Sequence, residues 1–303
     1  MARINRHKGK VLTVLFVFVL GLPLTGRAAT VGNPAEVVGA AGRFSLGVEY
    51  DGITGRDLEW KGGTIVMKSE STTITETIPA AGGSIEDFEV ESSRVFLKGT
   101  FGIRPDVDLY VKLGIADADW RLTDKAPGEP DSRAEFDGDI DIAYGAGVKA
   151  EVFQTSGGLR FLADAQYVRY EVEGDFKTDG KDFDEDFVDD MRTTDPNATF
   201  SSTKKTKLQQ WQIALYVQGT VGIFSPYGGV KYSEVKTDFS LDGSGRYLDI
   251  PYTVEIDGEG EADSNFGVFL GTDVYVIPNR LSVNVEGRFL DETAFSLGAT
   301  YRF

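Results

Sequence analysis

"FSLGATYRF", Phe295 to Phe303, closes the chain, and its reading decides the fold. Phe295, Leu297, Ala299, Tyr301 and Phe303 alternate with Ser296, Gly298, Thr300 and Arg302. A period of two puts the first set on one face of a strand and the second on the other. Soluble domains tend to end in frayed polar tails. A chain that keeps one apolar strand face up to its last residue expects an apolar surround on the outside of the fold.

The same period recurs along almost the whole chain after Gly42, and helical spacing is hard to find. Nine earlier segments alternate well enough to predict strands: 43–51, 94–103, 107–116, 140–153, 159–171, 208–221, 227–239, 265–276 and 281–289. The third is the cleanest, with Val107, Leu109, Val111, Leu113 and Ile115 opposing Asp108, Tyr110, Lys112, Gly114 and Ala116. Tight turns with Pro or Gly join some of them, at 104–106, 154–158, 224–226 and 277–279. Long polar segments, 52–92, 118–138, 173–206 and 240–262, join the others. Short and long connections alternate until "DET", 291–293, a short hairpin where a long loop is due.

A soluble sandwich does not sort its loops this way, and its strands usually run about 5–6 residues. A transmembrane barrel has short turns at one rim and long loops at the other. Gly114, Gly145, Gly147, Gly229 and Gly271 fall inside strands, where small residues let a narrow barrel close. The reading is an all-β, antiparallel, up-and-down transmembrane β-barrel of ten strands. Eight or twelve are the alternatives; "TIVMKSESTTI", Thr64 to Ile74, has β character and could hide a hairpin, which would give twelve.

The chain has 303 residues and a formal net charge of -17. Arg3, Arg6, Lys8 and Lys10 precede the apolar run Val11 to Leu22, and small residues follow at Gly26 to Thr30. That order is a secretory signal peptide over residues 1–28. A short leader, 29–41, then leads into a barrel domain over 42–303 with long acidic extracellular loops. Removing the five positive charges of residues 1–28 from -17 leaves about -22. Phosphate binding needs a basic surface, so nucleic acid is an improbable partner. There is no cysteine, and so no disulfide and no thiolate site.

The terminal strand resembles the assembly signal of Gram-negative outer-membrane β-barrels, through Ser296, Gly298, Tyr301 and Phe303. "DIAYGAGVKAEVF", Asp141 to Phe153, and "SPYGGVKYSE", Ser225 to Glu234, are similar to strands of the OmpA-like, opacity-type small barrels. The resemblance implies a bacterial outer-membrane location and recognition of the last strand by the barrel-assembly machinery. It also implies outer-membrane lipid and lipopolysaccharide as surroundings. The chain departs from the OmpA type in having more than eight predicted strands and no second, soluble domain.

The one histidine, His7, lies in the signal peptide. Imidazole bases and thiol nucleophiles are therefore missing from the mature chain, and an enzyme is not expected. No cofactor is implied. Asp175, Asp179 and Asp186 fit positions 1, 5 and 12 of a calcium loop, but Lys177 stands where an oxygen ligand belongs. They are weak divalent-ion candidates, with a solvated acidic loop as the plainer reading. Asp137, Asp139 and Asp141 alternate beside the fourth strand and would ring the barrel mouth if they faced inward.

The charges expected in the lumen are Asp108, Lys112, Lys149, Glu151, Asp164, Lys231, Asp273, Glu286, Arg288 and Arg302. They either pair and seal a narrow interior or line a thin water path. Trp120, Tyr170 and Trp211 at one end of the strands, and Phe224, Tyr227, Tyr275 and Phe303 at the other, are expected as interfacial girdles. Lys204 to Lys207, "KKTK", is read as loop charge or a contact for lipopolysaccharide phosphates. Two functions follow. One is a structural or surface-interaction barrel. The alternative is a narrow, porin-like, cation-biased channel for small solutes.

Overall fold

A computed structural model of the chain describes residues 42–70, 72–79, 85–125 and 130–303. The signal-peptide and leader assignments lie outside these residues. Fifteen strands run β1 (Phe44–Ser69), β2 (Thr73–Ile78), β3 (Ile85–Arg104), β4 (Val107–Ala116), β5 (Asp119–Asp124), β6 (Ser132–Gly138), β7 (Asp141–Gln154), β8 (Arg160–Thr178), β9 (Lys181–Asp182), β10 (Thr199–Gln218), β11 (Phe224–Tyr247), β12 (Ile250–Ala262), β13 (Phe266–Ile277), β14 (Leu281–Phe289) and β15 (Thr293–Arg302). Among the described residues one helix, α1 (Phe183–Arg192), follows β9.

Ten strands close a ring in the order β1, β3, β4, β7, β8, β10, β11, β13, β14, β15 and back to β1. Every pairing in it is antiparallel. The terminal stretch makes the closure: Leu46 faces Tyr301, Val48 faces Ala299 and Tyr50 faces Leu297. The Phe303 N–H donates to the Phe44 carbonyl at 3.0 Å, and the two rings stack 5.6 Å apart. This is the transmembrane barrel that the alternation predicts.

The long polar segments, however, are mostly not loops. β1, β3, β8, β10 and β11 continue past the ring, and β5, β6 and β12 join them. A second closed ring results, in the order β1, β3, β5, β6, β8, β10, β11, β12. It stands on the rim away from the termini. On one side β4–β5 and β6–β7 run on as bent strands. On the other, the three strands β13, β14 and β15 end, and β12 alone fills the wall between β11 and β1. The count falls from ten to eight. The Thr64–Ile74 stretch is a hairpin, β1–β2, but it rises above the second ring and adds no stave to the first.

The two tiers are inverted in polarity. On β10, Trp211, Ile213 and Leu215 face outward and Gln210, Gln212 and Gln218 are buried. Further along the same strand Lys205, Lys207 and Gln209 hold the outer face, and Thr206 and Leu208 are buried. β3 makes the same change, from Lys98 and Arg94 inside to Val90 and Phe88 inside. β1 accomplishes it with a bulge at Ile53–Gly55, which moves the inward set from Glu49 and Asp51 to Arg56 and Leu58.

The first ring therefore wears an apolar belt, with Val111 64% and Trp211 61% exposed, as a surface in contact with lipid requires. The second ring has an outside suited to water. About a dozen residues of β10 lie beyond the belt. At roughly 3.4 Å per residue and a tilt near 40°, that tier rises on the order of 30 Å.

Candidate functional site

The interior is the most organised part of the molecule, and it has two layers. In the membrane-spanning ring and at its junction with the second, seven basic and eight acidic side chains are buried. The acidic set is Glu49, Asp51, Asp108, Asp164, Asp273, Glu286, Asp291 and Glu292; the basic set is Arg56, Arg94, Lys98, Lys112, Lys149, Lys231 and Arg288. Charges so far from water persist only when paired and hydrogen-bonded.

Near the junction the β14–β15 hairpin turns inward. Glu292 engages Arg56 and Lys231 and lies 2.9 Å from Arg288 Nε. Asp291 lies 2.7 Å from Lys231 Nζ and accepts from Ser233 Oγ at 2.6 Å. Arg288 reaches on to Asp51 at 2.8 Å, and Asp51 also holds Arg94 at 2.5 Å. Gln210 accepts from Arg94 at 3.0 Å. One network thus ties β1, β3, β10, β11 and β14 across the lumen.

Lower down, Glu49 bridges Lys98 at 3.1 Å and Lys112 at 2.9 Å. Lys98 Nζ also sits 4.2 Å over the Tyr110 ring. Tyr110 donates to Asp164 at 2.7 Å, and Lys112 donates to Gln166 at 3.1 Å. Lys149 lies directly across the ladders from Asp108 on β4 and Asp164 on β8. Asn284 donates to Asp273 at 3.1 Å and to Tyr227 at 2.8 Å, and Tyr227 donates to Glu286 at 2.9 Å.

The sequence-predicted lumen charges divide in the structure. Asp108, Lys112, Lys149, Asp164, Lys231, Asp273, Glu286 and Arg288 are buried. Glu151 and Arg302 are half-buried near the rim that holds the termini. Glu151 pairs with Arg160 at 2.6 Å, and the Arg302 guanidinium lies 5.4 Å from the Tyr275 ring. Sequence reasoning missed Glu49, Asp51, Arg94 and Lys98, although each alternates with an outward apolar residue. It missed Arg56, Asp291 and Glu292 because they stand in stretches read as loop and turn.

Above this layer the second ring encloses an apolar core. Leu58, Phe88, Val90, Trp120, Leu122, Phe136, Val172, Leu208, Phe239 and Leu241 are buried together, with Trp60, Phe176 and Phe200 packed against them. Trp120 stacks on Phe136 at 5.9 Å and meets Phe88, Phe176 and Phe239 within 5.3–5.8 Å. Its Nε1–H donates to Thr206 Oγ1 at 2.9 Å.

The girdle expectation is corrected here. Trp120 and Tyr170 at one end, and Tyr227 at the other, point inward and are buried. Trp120 and Tyr170 have a core in the filled tier beyond the membrane, and Tyr227 packs with Leu162, Tyr216 and Phe269 inside the first ring. Trp211, Phe224 and Phe303 remain on the outside.

The charged segments find plain partners. Asp182 caps α1 by accepting from the Asp184 and Glu185 N–H groups. Asp179 accepts from the Arg133 N–H at 2.8 Å, Asp186 pairs with Lys181, and Asp175 lies across from Asp137 on the β6–β8 ladder. The stretch 175–186 runs through the end of β8, the turn into β9 and the first turn of α1. Among the described residues no group of three or more His, Cys, Asp or Glu is arranged to hold a metal ion.

Asp137, Asp139 and Asp141 are exposed at the bend where β6 runs into β7, not at an open rim. Lys204 turns inward to Asp184 at 3.1 Å, Lys205 meets Glu173 at 3.2 Å, and Lys207 meets Asp238. At the far tip a groove of about 640 Å³ is lined by Lys68, Glu70, Thr199, Arg246, Pro251 and Tyr252 among others. Burial, with Asp184 nearby, pushes the Tyr252 phenol up to about 12.

No family model matches the chain, and no curated protein matches it. Among solved structures it is similar to the outer-membrane protease OmpT of Escherichia coli, with a TM-score of 0.42 and 11% identity over 86% of this chain and 97% of that one. It is similar to the outer membrane protein OprG of Pseudomonas aeruginosa, with a TM-score of 0.35 and 8% identity over 88% and 99%. It is similar to the translocator domain of the autotransporter NalP of Neisseria meningitidis, with a TM-score of 0.38 and 11% identity over 87% and 89%. By its own ring, register and apolar belt, the chain is an all-antiparallel, ten-stranded β-barrel of the outer-membrane type.

Proposed function

We propose that the protein is a sealed, integral barrel of the bacterial outer membrane that presents its second ring outside the cell as a rigid interaction surface. One observation carries this reading: the lumen is stopped twice. A nearly neutral salt-bridge network fills the membrane-spanning ring, and an aromatic core fills the ring above it.

A cation-selective pore needs water and an excess of acidic groups along its wall. Here acidic and basic side chains are almost equal in number and engage one another. The reading is non-enzymatic, supported by that same mutual engagement. The outward face of the second ring carries Lys205 with Glu171 and Glu173, Lys236 with Glu261, Lys61 with Glu59, and Lys68 with Glu255. Such a surface is well hydrated and held by strands that run unbroken from the membrane.

The deciding experiment is planar-bilayer recording of the refolded mature chain. A silent bilayer is expected. Reproducible conductance steps with a cation-biased reversal potential would overturn the sealed reading in favour of the channel.

A further inference from the structure

At the far tip, beyond the second ring, one strand presents a free edge. β2 pairs with β1 over Thr73–Lys68 to Ile78–Gly63, and among the described residues with nothing else. β3 leaves β1 at Leu58–Phe88, below the start of β2. β2 therefore stands at the far tip as an edge strand. Its sequence, TITETI, is five β-branched residues and one Glu, and Thr73 to Thr77 are all exposed. Natural edges are blunted by charge, proline or a cover, and here a single Glu76 does that.

The free edge has a defined register. The Ser69 N–H donates to the Thr72 carbonyl at 2.8 Å. Alternation from that pair turns the main-chain groups of Ile74, Glu76 and Ile78 to β1, and those of Thr73, Thr75 and Thr77 outward. We infer that β2 is a homotypic docking edge, pairing antiparallel with β2 of a second copy in an opposing membrane.

Self-pairing through the outward groups sets Thr75 against Thr75 and Thr73 against Thr77. Ile74 then lies opposite Glu76, so no like charges face each other. Cross-strand Thr pairs are favourable. Two copies in one membrane are related by an axis along its normal. That keeps their strands parallel and brings Glu76 beside Glu76, which is unfavourable. An axis that reverses the strands also reverses the barrels, so the antiparallel register belongs to copies on facing surfaces. The height of the second ring lifts β2 clear of both bilayers.

This inference rests on the surface-interaction reading and names its partner. The test uses unilamellar phosphatidylcholine vesicles carrying the refolded mature chain, followed by dynamic light scattering. Wild-type vesicles should cluster, with at least a doubling of mean size, and more readily as salt screens the acidic tips. Thr75→Pro removes an outward N–H without touching the ladder to β1; those vesicles should stay dispersed while the protein keeps its heat-modifiable gel shift. Thr75→Glu sets two carboxylates against each other across the axis and gives the same answer if the proline variant does not fold.

Dispersed wild-type vesicles, or clustering undiminished in a folded variant, overturn the inference. Either result leaves a silent bilayer, and with it the sealed reading, standing. Conductance steps would remove the sealed reading while leaving the clustering result to be judged separately.

Discussion

Replacing Glu292 with Gln tests whether the inward hairpin locks the barrel. The Glu292 carboxylate engages three cations at once, Arg56, Lys231 and Arg288, and its side chain is shut off from solvent. The amide keeps the shape and removes the charge. Asp291 and Asp51 then remain near four buried cations, the three named and Arg94. Breaking a buried pair by removing one partner costs about 3–5 kcal/mol, because the other charge stays buried and uncompensated.

The assay is urea unfolding in a fixed detergent or lipid, read by the heat-modifiable gel shift and by tryptophan fluorescence. The variant should unfold at clearly lower denaturant. Lys231→Met with Glu292→Leu removes one charge of each sign and should cost less than the single variant. Lys205→Ala, which breaks a pair open to water, should leave the midpoint in place, as exposed pairs contribute little. An E292Q midpoint equal to that of wild type would refute the claim that these charges hold the interior together.

Further outcomes follow from the two tiers. Brominated lipid should quench Trp211, which faces the belt, and leave Trp60 and Trp120 unaffected, since both belong to the core beyond the membrane. Trp120→Ala should destabilise by about 3–5 kcal/mol, as large aromatic truncations in packed cores do, without loss of the belt's lipid contact. A side chain at Gly147 would place its Cβ 2.3 Å from the Tyr110 ring; Gly147→Val should displace Tyr110 from Asp164 and lower the refolding yield. Deleting Phe303 should impair assembly in cells and leave detergent refolding largely intact. Tyr252, whose phenol is pushed up to about 12 by burial and then by Asp184, holds its proton more tightly folded than unfolded. Its contribution is complete below about pH 10 and is lost as pH rises through about 12, which ultraviolet phenolate titration reads.

The membrane-spanning ring was legible because lipid imposes a rule on every residue of it. Apolar and polar residues must alternate in fixed phase, so "VDLYVKLGIA" on β4 and "FSLGATYRF" on β15 could be read residue by residue. The second ring was not legible by the same rule. In "YVRYEVEGDF", Tyr167 to Phe176, the alternation continues, but Val168, Tyr170 and Val172 are now the inward set and Arg169, Glu171 and Glu173 the outward one. Judged by hydropathy alone such a stretch is a polar loop. Judged by period it is a strand whose core has changed sides. The hairpin at 291–293 was anomalous in length, yet the partners of its carboxylates, Arg56 and Lys231, lie far off in sequence, and only closure of the ring brings them to it.

The inversion also orders the energetics of assembly. In the membrane-spanning ring, outward Leu, Val and Ile gain nothing from one another, because lipid is as apolar as they are. Stability there comes from the closed ladder and from paired interior charges, both of which need nearly all ten strands in place. In the second ring the driving force is ordinary burial, at about 25 cal/mol for each Å² of apolar surface removed from water. That force acts only on strands that have emerged on the far side. β1, β3, β8, β10 and β11 belong to both tiers, so the aromatic core can form only as their far ends meet, and once formed it opposes their withdrawal. The charged staves make translocation of those ends costly in either direction. The second ring is thereby expected to act as a stop that limits how deep the barrel sits and keeps the tip at a set height above the membrane.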